Sequence, residues 1–475
     1  MHKNNSREEL RGVLTLQQAR GRYRMKNGPN DLCVYVDQKV ADVAKDVIEH
    51  QAMDDAFYIC DLRDIEYKAR MWSQELPRVT PYFAVKACTD AVVLWTLNSL
   101  GFNYDCSNKV EMNMVFDMGV SPDRIVYANT VKCSSHLRFA LEHGVNLITF
   151  DSVEELEKFK NKDVRLLMRM AANEYGSMQN MNKKYGTQFD DARKLLELAK
   201  FMGLEVVGLS FHVGCAYKHP QIWANTIAEC RAVFDIAEGI GFTMTILDIG
   251  GGFPGGVRKM KRFQEVCFTI RTELERHFPE SSGVEIIGEP GQFFVTSAYT
   301  LATKVVGKRR RDVVVDGVSV RHEHVYINES KYNCIPRDLY QYLDITYRPI
   351  KPPYDRPADV LTTIWGATCN PNDFILENTR LFEVDVDEWL LMDNMGAYSL
   401  VLACGFNGFS LPPVKYIASP ARAAALEKVF RTWPMRPGYG HFVPLMRQQP
   451  VKECLREDYS EESCRTNGAL KSLQR

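Results

Sequence analysis

The feature that most constrains this chain is an alternation repeated eight times between about residues 80 and 290: a short β-rich apolar run, a polar residue or glycine, then a helix-like stretch. The runs are Tyr82–Lys86, Phe102–Asp105, Ile125–Ala128, Leu147–Phe150, Arg165–Met170, Val206–His212, Thr245–Ile249 and Glu285–Glu289. Stretches such as ARKLLELAKFMG and ANTIAECRAVFDIAEGIG separate them. Eight units in one block predict a (β/α)8 barrel, with a doubly wound sheet as the rival.

A barrel carries its chemistry where its strands end. In order those ends are Lys86, Asp105, Asn129, Asp151, Arg169, His212, Gly250-Gly251-Gly252 and Glu289, which gathers ionisable groups and a glycine turn around one mouth. After about residue 300 the pattern changes to strand-like segments, TLATKVVGK, DVVVDG, HEHVYIN, DVLTTIWG and RLFEVDV, separated by Pro, Asp and Gly turns. The expected organisation is a barrel over 56–298 and a β-sandwich or β-barrel domain over 299–430. Residues 1–55 contribute to the β domain through LCVYVDQKVADVAK, and 431–475 form a flexible polar tail.

Composition narrows the function. With 59 Lys+Arg against 60 Asp+Glu, nothing draws the chain to nucleic acid or to an acidic membrane surface. Thirteen scattered cysteines without a C-x-x-C pair indicate neither a disulfide framework nor a metal ribbon. Reduced thiols, and no apolar run of spanning length, lead to the expectation of a cytoplasmic protein.

Three motifs carry chemistry. In LDIGGGFPG a buried run delivers three consecutive glycines, whose exposed N–H groups can cradle a phosphate. The next strand ends in Glu289-Pro290-Gly291, a second such turn with a carboxylate beside it. PYFAVKA ends its strand with Lys86, and a lysine in partly apolar surroundings loses its proton more easily and can form an imine with an aldehyde. An amine for an aldehyde, amides for a phosphate and an acid for a ring nitrogen are together what pyridoxal phosphate needs.

The segments PYFAVKA, FNYDCSNKVE, RIVYAN, GLSFHVG, LDIGGGFPG, EPG, WGATC, DNMGAYS and FNGF resemble, in order and spacing, eukaryotic ornithine decarboxylases and their paralogues over about residues 30–425. The resemblance implies a pyridoxal-phosphate enzyme with an alanine-racemase-like barrel and a β domain, working as a homodimer with active sites at the interface. It implies Lys86 as the Schiff-base lysine and Glu289 as the partner of the pyridine nitrogen. His212 would lie on the ring face, Asp105 and Arg169 around the cofactor, and Tyr398 and Gly250, Gly251, Gly252 and Gly291 at the phosphate. Cys369, from the other subunit, would protonate the carbanion left by carbon dioxide.

The chain departs from the family at the edges of that site. The phosphate arginine is Gln292, a loss of roughly 1.5–3 kcal/mol of charge-assisted contact. A serine is Cys215, a weak donor. The aspartate that grips the substrate's distal ammonium is Asn370, and losing one partner of a buried charge pair costs about 3–5 kcal/mol. Asp338 matches a second pocket aspartate but follows Arg337, and Asp373 stands three residues past Asn370. A preserved reactive core with a distal pocket that has lost charge leads first to decarboxylation of a neutral amino acid such as leucine. Ornithine or lysine decarboxylation in polyamine biosynthesis, with Asp338 and Asp373 holding the cation, stays open. So does a non-catalytic regulator like the antizyme inhibitors, with Arg124, Lys132 and Arg138 as basic residues in the antizyme-contacting region.

Overall fold

The computed structural model describes residues 22–25, 32–172, 181–215, 217–335, 344–350 and 356–432. The expected tail, and Arg337 and Asp338, lie outside the described residues. Eight parallel strands close into a barrel: β4 (Val79–Ala84), β5 (Asn103–Cys106), β6 (Ile125–Tyr127), β7 (Leu147–Phe150), β8 (Arg165–Arg169), β9 (Glu205–Ser210), β10 (Ile246–Asp248) and β11 (Glu285–Gly288). All eight alternating runs are barrel strands, which rules out the doubly wound alternative. Tyr82, Val126, Leu147, Leu167, Val207, Ile246 and Ile287, one from each of seven strands, pack into a shared core cluster. The barrel is therefore filled by side chains, and only its mouth is open to chemistry.

The remaining strands form one sheet: β1 (Arg22–Met25), β2 (Leu32–Val36), β3 (Phe57–Asp61), β12 (Tyr299–Val315), β13 (Val318–Ile327), β14 (Thr346–Pro349), β15 (Val360–Trp365), β16 (Phe374–Leu381), β17 (Trp389–Asp393) and β18 (Val414–Ala418). The path runs β1-β2-β18-β3-β12-β13-β15-β16, with β17 between β12 and β14. Two expectations change. Residues 57–61, placed in the barrel segment by the sequence, pair with β12 and β18, because FYICD is buried on both faces and completes the sheet core of Tyr35, Phe57, Ile59, Leu391 and Ile417. RLFEVDV is mostly loop, since β16 stops at Leu381 and Glu383 turns its carboxylate to Lys308 and Arg321.

Three backbone hydrogen bonds bring the β domain onto the barrel mouth. Met395 N donates to Tyr299 O at 3.0 Å, Gly396 N to Thr296 O at 3.1 Å and Tyr398 N to Ala87 O at 3.0 Å. A Cβ at Gly396 would lie 1.8 Å from Val295 O, so only glycine lets this loop lie against the barrel. Among the described residues, no helix is long and apolar enough to cross a membrane.

Candidate active site

Lys86 sits just beyond β4, on the single turn Val85–Ala87, with its side chain 37% exposed into the mouth. Its ammonium pairs with Asp105, which is fully buried at the end of β5 and whose second oxygen, Oδ1, has no hydrogen-bond partner. Burial alone disfavours the Lys86 ammonium, but the Asp105 carboxylate beside it, with a lesser contribution from Glu289, outweighs it and holds its pKa above the ordinary lysine value. The expectation of an easily lost proton is therefore corrected: an apolar wall loosens a lysine proton, and the paired Asp105 carboxylate retains it. Arg169, at the end of β8, reaches Thr130 Oγ1 at 3.4 Å and lays its guanidinium 5.3 Å from the centre of the Tyr185 ring.

His212 is neutral. Burial, then the charges of Arg169 and Lys86, push its pKa down to about 3. Gly214 N donates to its Nδ1 at 2.9 Å, which assigns the ring proton to Nε2. The ring faces the glycine turn: a Cβ on Gly251 would lie 2.9 Å from His212 Nε2 and 2.7 Å from Glu289 O. Gly252, at φ +102°, leaves only 2.1 Å between an added Cβ and Gly214 O, and a Cβ on Gly291 would meet Ala87 at 2.7 Å. Glycines at these positions let four strand ends converge at the mouth.

The turn is anchored from beneath. Phe253 packs at 4.7 Å from Trp72 and 4.9 Å from Trp223, and Phe263 stacks on Phe293 at 4.0 Å. Gln292 is buried, and its amide donates to Phe253 O at 3.0 Å, so it braces the two glycine turns against each other. Cys215 is half-buried, and burial raises its thiol pKa, which keeps the proton on sulfur. Tyr398 arrives from the β domain with φ +54°, a left-handed backbone unusual for tyrosine, and its hydroxyl lies in the field of Lys86.

Asp248, the last residue of β10, was missed by the sequence reading. It is fully buried, and its Oδ1 accepts from Gly250 N at 2.8 Å. The signal was an acidic residue ending an apolar strand directly before the glycines. Lys68 was missed too: its buried ammonium donates to Gly255 O at 2.5 Å and lies 5.4 Å from the centre of the Phe293 ring, and burial lowers its pKa to about 8.

The loop carrying Cys369 is built around Asp373. Asp373 Oδ2 accepts from Ser330 Oγ at 2.9 Å, Thr368 N at 2.9 Å and Thr368 Oγ1 at 2.7 Å, and Oδ1 accepts from Lys331 N at 3.1 Å. At 1% exposure, Asp373 organises the loop and has no free face for a substrate cation, which corrects its assignment as a substrate residue. Cys369 is exposed, and the half-buried Asn370 accepts from Asn372 N at 2.9 Å. Among the described residues, the loop's hydrogen bonds go to itself and to Glu329–Lys331, and none links it to the Lys86 cluster. The structure brings Lys86, Asp105, Arg169, His212, Glu289, Tyr398 and the glycine turns together at the mouth.

The basic residues of the expected antizyme-contacting region also divide. Lys132 is not a surface charge: it is buried, 2.9 Å from Glu155 and donating to the carbonyls of Asn129, Thr130 and Thr149. Arg124 is tied to Phe102 O and Asn103, and Arg138 is exposed.

The mouth fits pyridoxal phosphate on this chain's own features: a cradle that admits no Cβ, an amine held by a buried carboxylate, and unpartnered buried oxygens on Asp105 and Asp248. Comparison with known proteins agrees. Residues 62–296 match the family model for the pyridoxal-dependent decarboxylase pyridoxal binding domain. The chain is 36% identical over 404 residues to ornithine decarboxylase of Rattus norvegicus, covering 81% of this chain and 87% of that one. It is 37% identical to antizyme inhibitor 2 of Xenopus laevis, covering 79% and 84%. The structure of the Paramecium bursaria Chlorella virus arginine decarboxylase bound to agmatine matches at 32% identity with a TM-score of 0.73, covering 80% of this chain and all of the other. With a closed β/α barrel, a β-sheet domain and this constellation at the mouth, the chain belongs to the pyridoxal-dependent decarboxylase family, alongside the ornithine decarboxylases and antizyme inhibitors.

Proposed function

We propose that the chain uses pyridoxal phosphate to decarboxylate an L-amino acid with a neutral, aliphatic side chain such as leucine, releasing carbon dioxide and a primary amine. When bound, the cofactor supplies an electron sink for the pair left behind by the departing carboxylate. The chain's own groups have defined tasks in this reading. Lys86 would hold the cofactor aldehyde, Asp105 would orient the Lys86 amine, and Glu289 would partner the ring nitrogen. His212, being neutral, covers a ring face without adding charge, and the glycine turns with Tyr398 hold the phosphate. Cys369, on an exposed loop, serves the site of a second copy of the chain, so the working form in this proposal is a homodimer.

The observation that carries the substrate choice is the sequestration of Asp373 by four donors, which leaves Asn370 on that loop without a free carboxylate beside it. Purified protein supplied with pyridoxal phosphate and a panel of amino acids is expected to release 3-methylbutylamine from leucine faster than putrescine from ornithine. Faster putrescine release would overturn the substrate choice and restore ornithine or lysine decarboxylation. Borohydride reduction is expected to fix the cofactor on Lys86 and to fail in Lys86→Ala. A second reading, a non-catalytic regulator that binds antizyme, is favoured by Gln292, whose amide is spent on Phe253 O where the family has a cation. Protein that retains no cofactor and binds antizyme would support it.

A further inference from the structure

Three carboxyl groups, Asp105, Asp248 and Glu289, lie buried around the mouth, and the cations facing them are Lys86 and Arg169. His212 is neutral, and the Tyr398 hydroxyl, partly buried, keeps its proton. Full ionisation of the carboxyls would leave one uncompensated negative charge in a buried site, which is costly. Asp105 is committed to Lys86. Asp248 Oδ1 is committed to Gly250 N, while its Oδ2 is buried and receives no backbone or amide donor. The side chain beside the Asp248 carboxyl is that of Glu289, and one carboxyl can donate to another only when protonated. The backbone fixes this approach, since Glu289 N donates to Gly250 O at 2.7 Å and β10 and β11 are in register with Asp248 opposite Ile287.

We propose that Asp248 is a positioning residue for Glu289: the two carboxyls share one proton, and Asp248 thereby fixes the Glu289 side chain and holds its charge in reserve until a cationic ring nitrogen takes the proton's place. This rests on the cofactor reading and is independent of the substrate. The exchange balances at the ring-nitrogen end: the cofactor enters with its ring N–H⁺, one proton leaves the Asp248–Glu289 pair for solvent, and the net charge of that contact is unchanged. Burial, then Asp105 and Asp248, raise the Glu289 pKa, in keeping with one proton held within the pair.

The test uses the full chain stripped of cofactor and then reloaded with pyridoxal phosphate, read by infrared difference spectroscopy of protonated carboxyl groups. At neutral pH, reloading the wild type is expected to remove a carboxylic acid band that reloading Glu289→Gln does not remove, the bands of Glu111 and Glu329 being common to both. In Asp248→Asn the same band is expected to titrate away at a pH lower by at least about one unit, because a like charge beside Glu289 is gone. A stripped wild type without the band, or an unchanged titration in Asp248→Asn, would overturn the assignment while leaving cofactor binding intact. A wild type that binds no pyridoxal phosphate, judged by the absence of a visible absorbance change, would overturn both the assignment and the cofactor reading. Should Asp248→Asn not fold, the wild-type band and its loss on reloading decide alone.

Discussion

At the scale of residues, the charges of the site differ in what surrounds them, and that decides their use. Asp373 and Asn370 stand three positions apart, yet one is sealed by donors and the other is half-exposed. Asp373→Asn would set an amide NH2 against groups that all donate, and a buried unsatisfied group costs about 1–3 kcal/mol. Thermal melts should show that loss, while the ratio of leucine to ornithine turnover stays constant. Asn370→Asp should act in reverse, leaving stability unchanged and moving kcat/KM toward ornithine by roughly a hundredfold, the equivalent of restoring about 3 kcal/mol of a buried charge pair. Sequence spacing made both look alike. The cluster at the mouth was legible because Lys86, Asp105, His212 and Glu289 lie at or just past the ends of strands that were themselves visible. Asp373 and Lys132 were misread because a sequence shows a charge but not its donors, and Asp248 was overlooked because it lies within an apolar run.

At the scale of elements, the glycine turn after β10 is the part that tolerates least. Gly252→Ala would force a left-handed backbone onto a residue with a Cβ and drive that Cβ into Gly214 O, at a cost of about 1–3 kcal/mol from the backbone alone. Calorimetric melting of the full chain should fall accordingly, and cofactor retention should fall with it. The same logic explains Asn108 and Glu111 after β5. Asn108 Oδ1 accepts from Val110 N at 2.8 Å and Glu111 N at 3.1 Å, and Glu111 Oε2 accepts from Ser107 N at 2.6 Å, a reciprocal cap that fixes the helix Lys109–Phe116. All eight barrel strands were legible because each alternates with a helix. Strands β1, β3, β14, β17, β18 and most of β16 were not, because a short apolar run does not announce which distant segment it will pair with.

At the scale of the whole molecule, buried carboxyls set the pH response. Glu111 and Glu329 are each pushed up to about 7, first by burial. Between the ordinary value of 4.5 and that level the folded chain binds more protons than the unfolded one, so stability falls as pH rises through this window. Each group accounts for roughly 3 kcal/mol across it. Melting temperatures from pH 4.5 to 7.5 should therefore show a downward contribution that Glu329→Gln removes, since the amide keeps a carbonyl for Ser330 N.

The chain leaves the sheet after β3, builds the barrel and returns. β18 then enters between β2 and β3, parallel to both. During synthesis, β2 and β3 must wait with open edges for a segment made hundreds of residues later, and hydrogen bonds that span such a separation form slowly. A chain terminated before Val414 would lack the middle of a sheet rather than an end, and would expose two unpaired edges of the kind that template aggregation. Adding the missing stretch back as a separate peptide is the natural way to test whether that slot can be filled from outside.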